Sequence, residues 1–547
     1  MKSSSPFRRV VVWFLAACPL ILLHAGAPEE SKVDLKVDWP SFLHRMDPVW
    51  DRMPVGYYEG PFVGNGIVGT ILYREEKANA LHMEIGRTDV YDHRPGGVFH
   101  YGCRLPIGHL LLTPSGKITG ANFRTDLWNG EVTGKVVTDK GSIRLRCFVP
   151  PDDSVIVIAW SSEGGEGKAS FSFVPEQGSS PRYLVQPKRD KGFIYDPNPP
   201  FQVSKRDGME VCVQPLKAGS DYATAWKESK EGKNRVLILA VANRRTRTGS
   251  ADDAVAAVKS ALAKGVQPLA QANQSWWHAF YPASFVSVPD PRLESYYWIQ
   301  LYKMASATRS ATPVVDLMGP WFRKSIWAAY WQNLNVQLAY YTVLPANHPE
   351  LAEPLCQLLY ERRQDLINNV PAPYRVDSAA LGNPTKCGDL IAPAPGPVRE
   401  KLGKGAYHFI ALPWLMQQFQ MQARFTGDDT RIKEQIQPLL KRTVNMYLHV
   451  LDRDAGGTYH IPNSFSDEYG NAPDANLNLA LLRWGLVTLL ENDRRLGLKD
   501  PDATRWKEVL DHLVPAPSNE KEGLMLGAGV PFAKPHRHSS HLFSIFP

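Results

Sequence analysis

The chain reads as a two-part β + α protein, an antiparallel β-sandwich followed by a toroid of paired helices. Three observations predict this. From about Asp34 to Gly249 short β-branched or alternating runs are separated by Gly, Pro, Asp and Asn, the texture of an antiparallel sandwich. After Pro291 the texture changes to long segments with apolar residues at three- and four-residue intervals, the period of amphipathic helices. With 547 residues, 44% of them apolar, the chain is long enough to bury more than one core.

The first 27 residues carry Lys2, Arg8 and Arg9, then an apolar run from Val10 to Leu23, then Ala25-Gly26-Ala27. The run is too short to span a bilayer, so this predicts a secretory signal cleaved after Ala27 and an exported protein, periplasmic or extracellular, with no transmembrane domain. Leu15-Ala16-Ala17-Cys18 also fits a lipoprotein processing site, which would leave the chain anchored through Cys18.

Residues 28–249 are assigned to the sandwich. Its strands include Lys135–Thr138, Ser142–Phe148, Ser154–Trp160, Ser170–Val174 and Arg235–Val241. The glycines of Gly64-Asn65-Gly66-Ile67-Val68-Gly69 serve tight turns and close backbone approach. A phosphate loop is the competing reading, but no Lys-Ser or Lys-Thr follows and no helix opens there. Residues 250–290 are assigned to a helical connection, with Ala251–Ala263 as one helix.

Residues 291–547 are assigned to the helical domain. Its helices are predicted over Leu293–Ala311, Ile326–Leu344, Glu350–Asn369, Tyr407–Phe425, Thr430–Leu451, Ala475–Leu496 and Ala503–Leu513. The irregular stretch Pro371–Pro397 is long for a connection within a compact domain and suits a functional rim.

The net charge of +7 arises from 62 basic against 55 acidic residues. They are spread thinly, and the run Arg244-Arg245-Thr246-Arg247 is too short for a phosphate-binding face, so no nucleic-acid partner is expected. The 15 Trp, 21 Tyr and 21 Phe supply both core and faces on which sugars stack. Beyond Cys18, the widely spaced Cys103, Cys147, Cys212, Cys356 and Cys387 contain no Cys-x-x-Cys pair. Buried thiols are expected, one bridge being the alternative.

Asn333-Leu334-Asn335-Val336-Gln337, followed by Tyr340 and Tyr341, sets two carboxamides two positions apart. They cannot share one helix face, which suits a bend or helix mouth where both reach a cavity. The stretch resembles the Asn-Ile-Asn-x-Gln-Met-Asn-Tyr-Trp signature of glycoside hydrolase family 95, whose type members are inverting α-L-fucosidases. His536-Arg537-His538, with Ser540, His541 and Leu542, resembles that family's His-Arg-His-x-Ser-His-Leu motif. The amino-terminal half adds Gly64–Gly69, interrupted upstream by an insertion from Tyr57 to Val63, with Arg124–Trp128 and Phe148–Asp152 in the family order.

The resemblance implies an (α/α)6 barrel of twelve helices, of which seven or eight are countable, so the barrel is expected to be incomplete in this chain. It also implies hydrolysis of terminal α-L-fucosyl or α-L-galactosyl residues with no cofactor. The loop Ile461–Tyr469 is similar to the family's Pro-Ser-x-Ser-Pro-Glu element, which makes Glu468 the general acid, with Asp467 in place of the usual Pro. Two adjacent carboxyls would raise one pKa, which suits an acid that must stay protonated.

Asn333 and Asn335 match the positions that orient water, while the Asp that polarises it is expected beyond residue 547. His536, His541, Trp331, Gln337 and Asp467 are the substrate-contact candidates, and Arg537 is a structural pairing residue by the alternative reading. The His536, His538 and His541 spacing also fits metal ligation, but no accompanying Cys, Asp or Glu is well spaced, and no metal is assigned. Of Trp321, Trp327 and Trp331, at least one is expected as a stacking platform and the rest as core. Two rival functions are a carbohydrate-binding relative without catalysis and another six-hairpin glycosidase with a different sugar.

Overall fold

Alternate residues of the strands in the first half face two different apolar cores, which is why several of these strands read as continuous hydrophobic runs. In the computed structural model, which describes residues 36–95, 100–188, 192–231, 234–392, 410–466 and 468–545, fourteen strands form two antiparallel sheets. They are β1 Val49–Trp50, β2 Phe62–Gly64, β3 Val68–Tyr73, β4 Leu81–Arg87, β5 Gly108–Thr113, β6 Ile118–Asp126 and β7 Glu131–Thr138. They continue as β8 Gly141–Phe148, β9 Val155–Gly164, β10 Ser170–Pro175, β11 Gln202–Arg206, β12 Met209–Pro215, β13 Asp221–Glu231 and β14 Asn234–Arg244. The larger sheet runs β1-β6-β7-β8-β9-β14-β13-β12-β11 and the smaller β10-β5-β4-β3-β2.

Ile156 and Ile158 of β9 and Leu237 and Leu239 of β14 meet Met83, Ile85 and Leu110 of the smaller sheet in the sandwich core. Their neighbours Val155, Val157, Val236 and Ile238 face the opposite side. There Ala254, Val258 and Leu269 of the helices Ser250–Lys264 and Val266–Phe280 cover them. The two helices expected as a connection therefore also close one face of the larger sheet. Burial of each such Val, Leu or Ile contributes about 1.5–3 kcal/mol.

The glycine element lies where this sandwich meets the following segment. Gly66 turns the chain at φ +85, and a Cβ on Gly64 would sit 2.8 Å from the Ser306 carbonyl oxygen. Buried Arg104 bridges the same contact, reaching Asp316 Oδ2 at 3.1 Å and the Trp321 carbonyl at 3.2 Å. Tyr91 donates its hydroxyl to the same Asp316 oxygen at 2.7 Å.

The helical half begins with Pro291–Ala307, whose start is set by Pro291 and by Asp290, which caps the Arg292 amide at 2.8 Å. Glu353–Glu361, Arg363–Asn368, Ala411–Thr426, Gln437–Leu448, Asn476–Leu496 and Ala503–His512 follow. A π turn, Ile432–Ile436, leads directly into Gln437–Leu448. Gly427 at φ +70 and Gly497 at φ +63 end their helices in the left-handed conformation.

One predicted helix does not form. Of Ile326–Leu344 only Asn335–Tyr340 is helical. The upstream backbone spends its hydrogen bonds elsewhere: the Ala328 carbonyl accepts from the Arg104 amide at 2.7 Å, and Tyr330 and Thr385 exchange amide bonds at 3.2 and 3.0 Å. A segment bridging two neighbours cannot also satisfy its own helical ladder.

Residues 40–547 form one compact unit. The proposed signal segment and Cys18 lie outside the described residues. Cys103, Cys147, Cys212, Cys356 and Cys387 are all buried free thiols. Among the described residues no helix is long and apolar enough to cross a membrane.

Candidate active site

Three polar segments converge because an apolar residue within or beside each joins one cluster. Ile410, Trp414, Leu477 and Leu481, at the starts of the helices Ala411–Thr426 and Asn476–Leu496, form its centre, and Leu334, Tyr341, Phe465 and Phe543 pack against it. Leu334 separates Asn333 from Asn335, Phe465 lies three residues before Glu468, and Phe543 lies two after His541. Phe543 meets the Trp414 ring edge-on at 4.7 Å. The Trp414 indole N–H donates to the Tyr341 hydroxyl, which donates to Gln417 Oε1 at 2.9 Å.

Glu468 stands in the turn of a hairpin, Ser464–Ser466 paired with Gly470–Ala472. Its φ of +56 is a conformation that side chains other than glycine rarely adopt. Side-chain contacts hold this turn against the segment of residues 532–543. Ser466 Oγ donates to Ser540 Oγ at 2.9 Å, and the Tyr469 hydroxyl accepts from the Lys534 amide at 3.0 Å. Asp467 lies outside the described residues.

The Glu468 carboxylate is paired. Arg537 Nε reaches Oε2 at 3.0 Å, Arg537 Nη2 contacts the same oxygen, and His538 Nε2 lies 3.2 Å from it. Burial by itself pushes the carboxyl up, but the Arg537 guanidinium and the His538 imidazole together hold it below its ordinary value. The carboxyl expected as a protonated acid is thus ionised here near neutral pH. The pairing role given to Arg537 as an alternative matches this contact.

A cleft of about 350 Å³ lies beside this pair, lined by Leu334, Leu338, Arg537, His538, Leu542 and Phe543. It brings the Asn-x-Asn segment and the partners of Glu468 to one place. Asn333 is half-buried, and its Oδ1 accepts from Asn383 Nδ2 at 2.6 Å. Asn383 Oδ1 in turn accepts from the Gln332 amide at 2.8 Å. Asn335 is exposed at the first position of its short helix, where the side chain is available to solvent or ligand.

Other sequence candidates are placed differently. Gln337 is fully buried and donates to the Gln332 carbonyl oxygen, so it braces the helix mouth. Trp331 is half-buried, packs edge-on against Trp327 at 4.9 Å and donates to the Trp327 carbonyl at 3.0 Å, while Trp327 is the more exposed of the two. Trp321 is core, with its indole N–H on the Val63 carbonyl at 3.0 Å.

His536 accepts from the His538 amide at its Nδ1, 3.1 Å away. His541 stacks on Phe532 at 3.9 Å, and burial lowers its pKa. Among the described residues its buried Nδ1 has no hydrogen-bond partner. His538, Asn383 and Trp414 carry weight that sequence reasoning did not assign. Only the motif position of His538 signalled it; Asn383 lies in an irregular loop, and the period of Trp414 marks it merely as core.

A second hollow, of about 380 Å³, lies on the larger sheet around Arg144 and Arg146 and has no carboxylate among its lining residues. It offers no acid for glycoside cleavage, which needs a carboxyl at the leaving oxygen.

The model of the glycosyl hydrolase family 95 catalytic domain matches residues 272–547. Among solved structures, a human-microbiome protein assigned as a kojibiose phosphorylase is similar at TM-score 0.55 and 11% identity, over 86% of this chain and 68% of that one. A bacterial glucoamylase in complex with acarbose aligns at TM-score 0.45 and 8% identity, over 85% and 69%. No curated protein matches. The first likeness concerns the fold alone, and the family match covers half the chain: this protein belongs to glycosyl hydrolase family 95.

Proposed function

We propose that the chain is an exported inverting glycoside hydrolase that removes terminal α-L-fucosyl or α-L-galactosyl residues from glycans. The observation that carries the reading is the shared cleft, with Leu334, between the two asparagines, on one side and Arg537 and His538, the partners of Glu468, on the other. Glu468 protonates the leaving oxygen, and Asn333 and Asn335 position the water on the opposite face of the sugar. In an inverting enzyme acid and base stand about 6.5–9.5 Å apart, which leaves room for that water. A carboxamide is scarcely basic, so the proton of the water passes to a carboxylate outside this set.

The ionised state of Glu468 sets the order of events. Substrate that draws Arg537 away from Oε2 removes the charge holding the carboxyl ionised, and burial then favours the protonated form. The apolar wall of Leu334, Leu338 and Leu542 suits the methyl group of a 6-deoxy sugar. Export rests on the basic, apolar and small-residue sequence of residues 1–27.

The test compares hydrolysis of aryl α-L-fucoside and α-L-galactoside by the full encoded protein and by Glu468→Gln, with the product anomer read by NMR. Loss of turnover in the variant and inversion in the wild type are expected. Equal rates remove Glu468 from the role, and a retained anomer removes the inverting mechanism. The ion pair at Glu468 also favours a second reading, a carbohydrate-binding protein without catalysis, which predicts sugar binding by calorimetry with no turnover by either protein.

A further inference from the structure

On β4 the residues Leu81, Met83 and Ile85 face the sandwich core, so His82 and Glu84 project from the opposite face of the smaller sheet. His109 of β5 stands opposite Glu84 in the register. These polar groups are inside the protein, with His82 6% and Glu84 7% exposed. Tyr73 covers the His82 ring at 4.5 Å and is itself packed by Tyr57 at 6.4 Å. Tyr57, which packs on the covering tyrosine, comes from the insertion that interrupts the family pattern.

His82 Nε2 lies 2.9 Å from Glu84 Oε2, and the His82 and His109 rings stack at 4.0 Å. Among the described residues the buried Nδ1 of His109 has no hydrogen-bond partner, and Glu176 Oε1 is 3.8 Å from it. One donor atom from each of His82, Glu84 and His109 falls within 4.8 Å of the others. Tetrahedral zinc with bonds of about 2.0–2.1 Å places its donors about 3.4 Å apart, so the stacked imidazoles rotate about their side-chain torsions to aim both nitrogens at one ion.

We propose that His82, Glu84 and His109 form a binding site for a divalent transition-metal ion of the Zn²⁺ class, distinct from the cleft beside Glu468. Two imidazole nitrogens with one carboxylate select such an ion over Ca²⁺ or Mg²⁺, which take oxygen ligands. The fourth position goes to water or to Glu176, whose other oxygen is held by Lys324 at 3.0 Å. Burial holds His82 neutral, its pKa pushed down to about 4, so its lone pair is available to a metal. Glu84 is pushed up to about 8 by burial, with Glu176 and Glu75 raising it and His109 and Lys324 opposing. Bound metal ties β4 to β5 and acts on stability.

The test uses the full protein without a histidine tag, stripped with chelator and given Zn²⁺ alone, with retained zinc measured by elemental analysis. Wild type should retain about one equivalent more than His82→Ala or His109→Ala. Co²⁺ alone should give the intense visible bands of a four-coordinate site in wild type and not in the variants. Glu84→Gln preserves shape, so it controls for folding, and its zinc affinity should fall by about tenfold or more. Equal zinc in wild type and all three variants overturns the site. So does loss of the zinc in His538→Ala with retention in His109→Ala, since that places the ion beside Glu468.

Discussion

Arg537 directs two nitrogens, Nε and Nη2, at the single oxygen Oε2 of Glu468, and His538 adds a third contact to the same atom. The folded carboxyl lies below its ordinary value. The pair's contribution is therefore complete above the unfolded glutamate pKa and is lost as pH falls through the folded one. An acid catalyst works only while protonated, so the pair limits activity on the alkaline side. Arg537→Gln should raise the Glu468 pKa and move the alkaline limb of kcat/KM to higher pH, while Glu468→Gln should abolish that limb with a loss of about 10²–10⁴-fold in rate. A pH–rate profile on an aryl glycoside checks both, and an alkaline limb that stays in place in Arg537→Gln counts against the coupling.

Asn335 and Gln337 are two residues apart in one motif, yet one is exposed and the other fully buried. Asn335→Ala is expected to lower kcat with the thermal midpoint unchanged. Gln337→Ala should cost about 1–3 kcal/mol of stability by leaving the Gln332 carbonyl without its donor. Its KM should be unchanged at temperatures where the variant is folded. Paired kinetics and urea denaturation separate the two roles.

Trp414 is 2% exposed at the centre of the cluster that gathers Leu334, Phe465 and Phe543. Trp414→Ala should cost about 3–5 kcal/mol and remove turnover even in the fraction that remains folded, because the three segments lose their common anchor. Trp414→Phe should retain more stability and more activity, as measured by denaturation and turnover together.

Arg104 and Asp316 are both fully buried and joined at 3.1 Å. Removing one partner leaves the other charge uncompensated, so Arg104→Met is predicted to cost about 3–5 kcal/mol in urea denaturation. The combined Arg104→Met, Asp316→Leu variant should recover part of that loss.

Much of the architecture was legible because it rests on local rules. Strand alternation follows from the two-residue repeat of the backbone, helix length from the apolar period, and the start of Pro291–Ala307 from Asp290 and Pro291. The motif order likewise carried the family. His82, Glu84 and His109 were not singled out in the sequence, because nothing local set His109, on the neighbouring strand, beside the other two.

What tertiary structure alone decided is where hydrogen bonds and charges find partners far along the chain. The period of Ile326–Leu344 suggested a helix, but Arg104 and Thr385 claimed its backbone, and a shared bond outweighs a weak local propensity. The ionised state of Glu468 was equally invisible, since the neighbour considered in sequence was Asp467 while the groups that set the charge, Arg537 and His538, stand about seventy residues away. Charge at a buried or half-buried carboxyl is set by what lies within a few ångströms, and that distance exists only in the folded chain.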